Sequence, residues 1–320
     1  MRRRVFIAGL LAGLAMTAVR AGERPRIAIL HSGYPERTPI HLLFEALQKL
    51  GHDNGRTATI ELLGGEGNAD RLNALVARLA AQKPDLIIAI TSPAVLALKR
   101  AGLKTPVVFA FVPDPIGLGI VGSYAHPGGG FTGVTYSEAA LGGKRLELLL
   151  DALPPIRRVA FFWSRQLSES IAFLDSIRSV AAPRGMEVFS REILGVEDLA
   201  PAFADAARAG AQAALVMPDN LLFGHRKRVA ELALAHRLPT MHTFATEIRD
   251  GGLMSYGPSM GENYRRAAAL ADRILKGARP SELPVEQPTT FELVVNLKTA
   301  QALGLTIPEP FLLRVDEVVE

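Results

Sequence analysis

The chain has no cysteine and a single tryptophan among its 320 residues. Without cysteine there is no disulfide framework, no thiol nucleophile and no lipid-modified cysteine, so an exported form must rely on its core alone. Metal-ligand patterning is missing too. The histidines at 31, 41, 52, 126, 225, 236 and 242 show no H-x-x-x-H spacing, which speaks against a zinc site. "GGEGNA" (64–69) follows the second strand-like run and lacks the Lys-Ser/Thr of a phosphate-binding loop, so it reads as a connection. No cofactor is expected. A basic surface is also lacking. The formal net charge is +4, but Arg2, Arg3, Arg4 and Arg20 all lie in the first 21 residues, which hold no acid, so the remainder is neutral. No basic stripe is left for a nucleic acid.

What is present is ample core: 48% hydrophobic and 21% charged residues, with length for about two domains. The N-terminus stands apart. "MRRRVFIAGLLAGLAMTAVRAGERP" has a basic start, an apolar run from Val5 to Ala18 and a V-x-A pattern at Val19 to Ala21. That order is the pattern of a secretory signal peptide, 1–21, too short to span as a stable anchor. "RRVFI" also fits a twin-arginine signal. An uncleaved anchor is the alternative.

From Gly22 onward, short apolar runs alternate with helical periodicities. "RIAIL" (26–30), "TATIELL" (57–63), "DLIIAI" (85–90) and "PVVFAF" (106–111) read as strands. Between them, Ile40, Leu43, Phe44, Leu47 and Leu50 share one helical face, as do Leu72, Leu75, Val76 and Leu79; a further helix starts at Pro93. Repeated βαβ units predict a mostly parallel sheet covered by helices. "PDPIGLGIVGSYAHPGGGFTG" (113–133) interrupts the series as a long Gly/Pro-rich loop. A second series follows, with strands at 158–163, 186–190, 213–217 and 239–242 and helices near 168–182, 197–209 and 224–237, then a strand at 291–295 and a short helix. Two similar series separated by a pause predict two α/β lobes.

"GGLMSYGPSMGENYRR" (251–266) holds G-x-S-x-G at Gly257 to Gly261, the local pattern of a hydrolase nucleophile elbow. Two features oppose a nucleophilic Ser259. The last histidine, His242, lies upstream, whereas an elbow triad places its histidine downstream. Pro258 also restricts the strained turn. The simpler reading is an S-x-x-E capping box, Ser259 to Glu262, opening a helix that ends at Gly277.

In open parallel sheets, ligands sit beyond the carboxyl ends of strands. In the first lobe these loops are "HSGYPE" (31–36), "TSPAV" (91–95) and "PDP" (113–115). Ser92 reads as an N-cap before Pro93, either closing its own helix or helping that helix end take an anion. Ser32 and Gly33 approach the same anion or form a turn. Asp114 is a turn residue or a carboxylate for a cationic group. In the second lobe, Asp219 either meets a ligand ammonium or caps the following helix. Trp163 is core or pocket wall, and Tyr256 ends a strand toward the gap between lobes.

"KPDLIIAITSPA" (83–94), "TPVVFAFVPDPIGLGIVGSYAHPGGGFTGVT" (105–135), "GKRLELL" (143–149), "GGLMSYGP" (251–258) and above all "LPVEQPTTFELVVNLKTAQALGLTIP" (283–308) carry a likeness spread over nearly all of the chain after residue 21. The chain resembles the substrate-binding proteins of bacterial ABC importers, in the group related to tryptophan/tyrosine importers. The resemblance implies a type I periplasmic binding protein fold, two Rossmann-like lobes joined by a three-segment hinge at 130–136, 253–258 and Glu286 to Phe291. It divides the chain into lobe 1, 22–133 plus about 257–287, and lobe 2, 134–256 plus about 288–320. It carries Ser32, Thr91, Ser92, Asp114, Asp219 and Tyr256 into the cleft, and Tyr34 and Trp163 join them as aromatic neighbours. Phe162-Trp163-Ser164 departs from a leucine-tryptophan-asparagine pattern usual in the group, so a cleft-facing Ser164 would alter ligand preference. The implied activity is non-catalytic: a periplasmic monomer binds a zwitterion, an amino acid with an apolar or aromatic side chain, for an ABC permease and ATPase. A secreted serine hydrolase using Ser259 and a ligand-sensing domain serving a receptor are the alternatives.

Overall fold

The computed structural model describes residues 24–136, 141–164 and 170–320. The expected leader, 1–21, and the first two residues of the helix expected near 168–182 lie outside them. The chain runs β1 (Arg26–His31), α1 (His41–Lys49), β2 (Thr59–Gly64), α2 (Ala69–Gln82), β3 (Leu86–Ile90), α3 (Ser92–Arg100), β4 (Val107–Val112) and β5 (Phe131–Thr135). It continues through α4 (Leu141–Ala152), β6 (Arg158–Trp163), α5 (Ser170–Ala181), β7 (Glu187–Glu192), α6 (Leu199–Arg208), β8 (Ala213–Val216), α7 (Asn220–Gly224), α8 (Arg226–Ala235), β9 (Thr240–His242) and α9 (Ala245–Arg249). The last elements are β10 (Met254–Pro258), α10 (Met260–Leu275), β11 (Phe291–Asn296), α11 (Leu297–Leu303), α12 (Glu309–Leu312) and β12 (Glu317–Val319).

The strands form two sheets, ordered β2-β1-β3-β4-β5 and β12-β11-β10-β9-β8-β6-β7. The first is parallel throughout. The second is parallel except where β10 meets β11. This is the α/β architecture expected from the alternating runs.

Strand periodicity explains the layers. Side chains alternate across a strand, so Ile27 and Ile29 of β1 face α1 and α10 on one side, while Ala28 and Leu30 face α2 and α3 on the other. The second sheet repeats this: Val159 and Phe161 pack under α4 and α5, and Ala160 and Phe162 under α6 and α8. Both faces of each sheet are thus buried, which is why the strands read as continuous apolar runs.

The chain passes between the sheets three times: after β5, from β10 into α10, and from Glu286 into β11. The helix α10 touches all three passes. Asn263 Nδ2 donates to Thr135 O at 3.1 Å, and Arg266 reaches Glu286, Gln287 O and Thr289 at 3.3–3.4 Å. The second pass is the N-terminus of α10 itself. Ser259 occupies the N-cap position there, but its side chain makes no capping hydrogen bond. The expected capping box is therefore not formed, because the Glu262 carboxylate is taken by Arg265 and Arg266. The Gly/Pro-rich stretch also differs from a pure loop, since its end forms β5 at the edge of the first sheet.

β5 packs tightly at Gly133, where an added Cβ would stand 2.2 Å from Phe109 O and 2.5 Å from its ring. Gly133→Ala is expected to lower stability by about 1–3 kcal/mol through overpacking. Gly130→Ala, with nothing within 4 Å, serves as the control and should shift the thermal midpoint little.

Candidate functional site

A cleft of ≈ 470 Å³, open mouth included, lies among the carboxyl ends of strands from both sheets. From the first lobe it receives His31 at the end of β1, Tyr34 and Thr38 from the next loop, Ile90 and Thr91 from the end of β3, and Phe111 from β4. From the second it receives the run Pro218 to Asn220, Phe223 and Gly224 after β8, and Phe244 after β9; Met260 and Tyr264 of α10 close the floor. The wall is mostly apolar, with few polar groups to set orientation, as expected of a small-molecule site.

Two of these residues hold unusual backbone conformations. Thr91 sits at φ 76 and Phe111 at φ 57. A β-branched residue at positive φ is sterically costly, and such strain persists only where neighbours over-determine it. Thr91 is pinned twice: its N–H donates to Ala110 O at 2.9 Å, and its hydroxyl meets Ser32 Oγ at 2.5 Å. Phe111 stands in a register shift between Ala110 and Val112. This irregularity turns its ring against Tyr264, 5.0 Å away between centroids and edge-to-face.

Asp219 is the charged group of the wall. It is 2% exposed and opens α7, where Oδ1 accepts the Leu222 N–H at 2.7 Å. Its Oδ2 is buried without a hydrogen-bond partner. Burial pushes the carboxyl up to about 6, while the Leu222 amide, Ser164 and the Leu221 amide pull the other way. Ser164 lies beside it, yet neither Ser164 Oγ nor Asp219 Oδ2 reaches good hydrogen-bond geometry. Tyr264 is similar: its hydroxyl is buried and unbonded, and burial drives the phenol well above its ordinary range, with Thr38 opposing.

The lobes touch across the cleft. Asn220 Nδ2 donates to Ser32 Oγ at 2.7 Å. Arg37 stacks over Tyr34 and donates to His225 Nε2 at 3.1 Å, while Arg226 donates to Arg37 O and binds Asp250 at 2.7 Å. Deeper, Phe244 of the second lobe packs on Phe111, Tyr136 and Phe223, each with centroids 5.9 Å away. The arrangement is closed.

Of the eight residues singled out from the sequence, Tyr34, Thr91 and Asp219 line this cleft, and Ser32 is bonded to Thr91 and to Asn220 at its edge. Ser92 lies one residue inside α3, not at the cap. Thr91 holds the cap position, and Ser92 Oγ is buried without a partner. Asp114 stands apart from the lining; it is exposed, and its Oδ1 accepts the Gly117 N–H at 2.8 Å, closing a turn. Trp163 donates its indole N–H to Ser190 at 3.0 Å, and Tyr256 stacks on Phe291 within the second lobe. Neither lines the cleft. His31 lies in the quoted "HSGYPE" loop, and Asn220 and Phe244 follow β8 and β9, but none of the three was singled out. Tyr264 and Met260 carried no strand-end signal, because they arrive on a helix from late in the chain. Ser259 borders a separate small cavity with Glu262, Asn263 and Arg266, and no histidine is among its lining residues. Among the described residues no cluster is suited to a metal ion, and no helix is long and apolar enough to cross a membrane.

A cleft between two parallel-sheet lobes, joined by three passes, is the architecture of periplasmic binding proteins. A profile of the family described as ABC transporter substrate binding protein matches residues 39–319, and the chain belongs to that family. It is 24% identical over 262 residues to a tyrosine-binding protein of Clostridioides difficile, covering 82% of this chain and 75% of that one. Among solved structures it is similar to an ABC domain in complex with L-Trp from Streptococcus pneumonia, with a TM-score of 0.82, 24% identity, and 93% and 100% of the two chains covered. A ligand-free, open structure of a substrate binding protein with adhesive properties from Clostridium difficile gives a TM-score of 0.67 at 21% identity, covering 92% and 99%. The family is a solute-binding type whose ligand is a small molecule and whose partners are the other components of an ABC transporter.

Because its carboxyl stands near 6 when folded and near 3.8 when free, Asp219 favours the folded state as pH falls from 6 towards 4 and opposes it above 6. The cost at pH 7.5 is about 3 kcal/mol at most. Asp219→Asn, which keeps an oxygen for the Leu222 amide, is expected to raise the ligand-free thermal midpoint at pH 7.5. The gain should shrink to nothing near pH 4.

Proposed function

We propose that the chain is the periplasmic solute-binding component of an ABC importer and captures an amino acid, with an apolar or aromatic side chain, by closing two lobes around it. The observation that carries this reading is the stranded Oδ2 of Asp219 in an otherwise apolar, aromatic-rich cleft. A buried carboxylate with one oxygen unpartnered is costly, and a ligand ammonium is the group that relieves it. Across the cleft, His31, beside the N-terminus of α3, offers a donor to a carboxylate. Tyr34, Phe111, Phe223 and Phe244 suit the side chain. The tyrosine-binding relative and the L-Trp complex support the same class of solute.

The protein's work is then differential binding. Solute touches both lobes only when they are closed, and this favours the closed form by the free energy of the added contacts. The chemistry ends with release, no bond being made or broken. The basic-apolar leader directs export, a permease and an ATPase receive the solute, and a monomer suffices for one cleft.

Calorimetry with a panel of amino acids tests the reading. Wild-type protein is expected to bind an aromatic L-amino acid, and Asp219→Ala to lose at least about tenfold in affinity. Since the proton competes with the ammonium for Asp219, affinity should fall below pH 6, by up to about tenfold per unit. Binding of no amino acid, or labelling of Ser259 by a fluorophosphonate probe, would overturn it.

A further inference from the structure

Resting on that reading, we propose that His31 is the specificity-determining donor of the cleft, a neutral imidazole whose Nε2–H takes an oxygen of the solute carboxylate. His31 ends β1, is 4% exposed and borders the cleft. Its Nδ1 accepts the Gly33 N–H at 2.9 Å, so that nitrogen carries no proton. Burial pushes the imidazole down to about 4, so the ring is neutral at working pH and its one proton stands on Nε2. No hydrogen bond to Nε2–H is found among the described residues. Because His31 lines the cleft, this N–H is free to take a solute oxygen.

Three of the polar groups near it are spent on one another. The Thr91 hydroxyl and Asn220 Nδ2 both bind Ser32 Oγ. Asp219, on the opposite lobe, is an acceptor when ionised. The cleft is therefore polarised: the first lobe offers a donor with a fixed tautomer, the second an acceptor. β1 and β3 are paired neighbours, with His31 opposite Ile90, so the imidazole stands one residue from the Thr91 cap and the start of α3. A carboxylate at that position meets Nε2–H and the helix end together, and no proton need change hands.

The test uses L-tryptophan and L-tyrosine beside tryptamine and tyramine, which lack only the carboxylate. His31→Asn keeps an amide oxygen where Nδ1 accepts from Gly33 but removes the distal donor. His31→Gln restores an N–H near the Nε2 position. By calorimetry, His31→Asn is expected to weaken the amino acids by about ten- to a hundredfold and to leave the amines within about twofold. His31→Gln should recover most of the lost affinity. Equal losses for acids and amines, or no loss at all, would overturn the role of His31 while leaving the proposed function intact. If wild-type protein binds no amino acid of the panel, that function falls and the inference with it; if it binds a different one, that amino acid and its decarboxylated amine take the place of these pairs. A second readout does not depend on the variants folding. The imidazole ¹⁵N spectrum of wild-type protein should show the Nε2–H tautomer, with a shift on adding L-tryptophan that tryptamine does not reproduce. A Nδ1–H tautomer, or the same shift from both, overturns the assignment.

Discussion

The hydroxyl of Ser32 is shared between the two lobes. It meets the Thr91 hydroxyl within the first lobe and accepts from the Asn220 amide of the second. Through one contact it props Thr91 in its left-handed conformation at the head of α3. Through the other it brings the start of α7, and with it Asp219, over the cleft. The geometry of the site depends on this junction, because neither half of the wall is positioned for a solute unless the other half is in place. The outer contacts of Arg37, His225 and Arg226 join the lobes beside it and are not part of the cleft lining.

The site runs against the rules that govern the rest of the molecule. The other buried acids are held by partners, Asp272 by His52 and Lys276 and Glu247 by His242. In the cleft a carboxylate keeps one oxygen unsatisfied, a phenol is sealed without a partner, and two non-glycine residues hold positive φ. Such departures cost stability and persist where function needs the groups poised. The smaller cavity beside Ser259 has one such group in its lining, Asn263 Oδ1, and no residue at positive φ.

Much of this was legible in the sequence because strands buried on both faces leave unmistakable apolar runs, and because loops at the carboxyl ends of parallel strands are where ligands gather. Ser32, Thr91 and Asp219 followed from that rule. The other residues singled out lie off this cleft for identifiable reasons. Asp114 obeyed its flanking prolines and became a turn. Trp163 satisfied its indole N–H inside its own lobe at Ser190. Ser92 was displaced by one position because Thr91 accepted a conformation that local propensity disfavours, under constraint from a partner 59 residues away. Tyr264 was invisible for a similar reason: its helical pattern reveals a buried face but not which sheet it is buried against.

That last point bears on how the molecule is assembled. The first sheet is complete by Thr135, yet the face formed by Ile27, Ile29, Ile88 and Val108 is covered in part by Tyr264, Ala267, Leu270 and Ile274. The N-terminal half must therefore wait, with an oily flank uncovered, while more than a hundred intervening residues emerge from the ribosome. Truncation before α10 is expected to leave that flank of the first sheet uncovered, so the first half is not a free-standing product of translation.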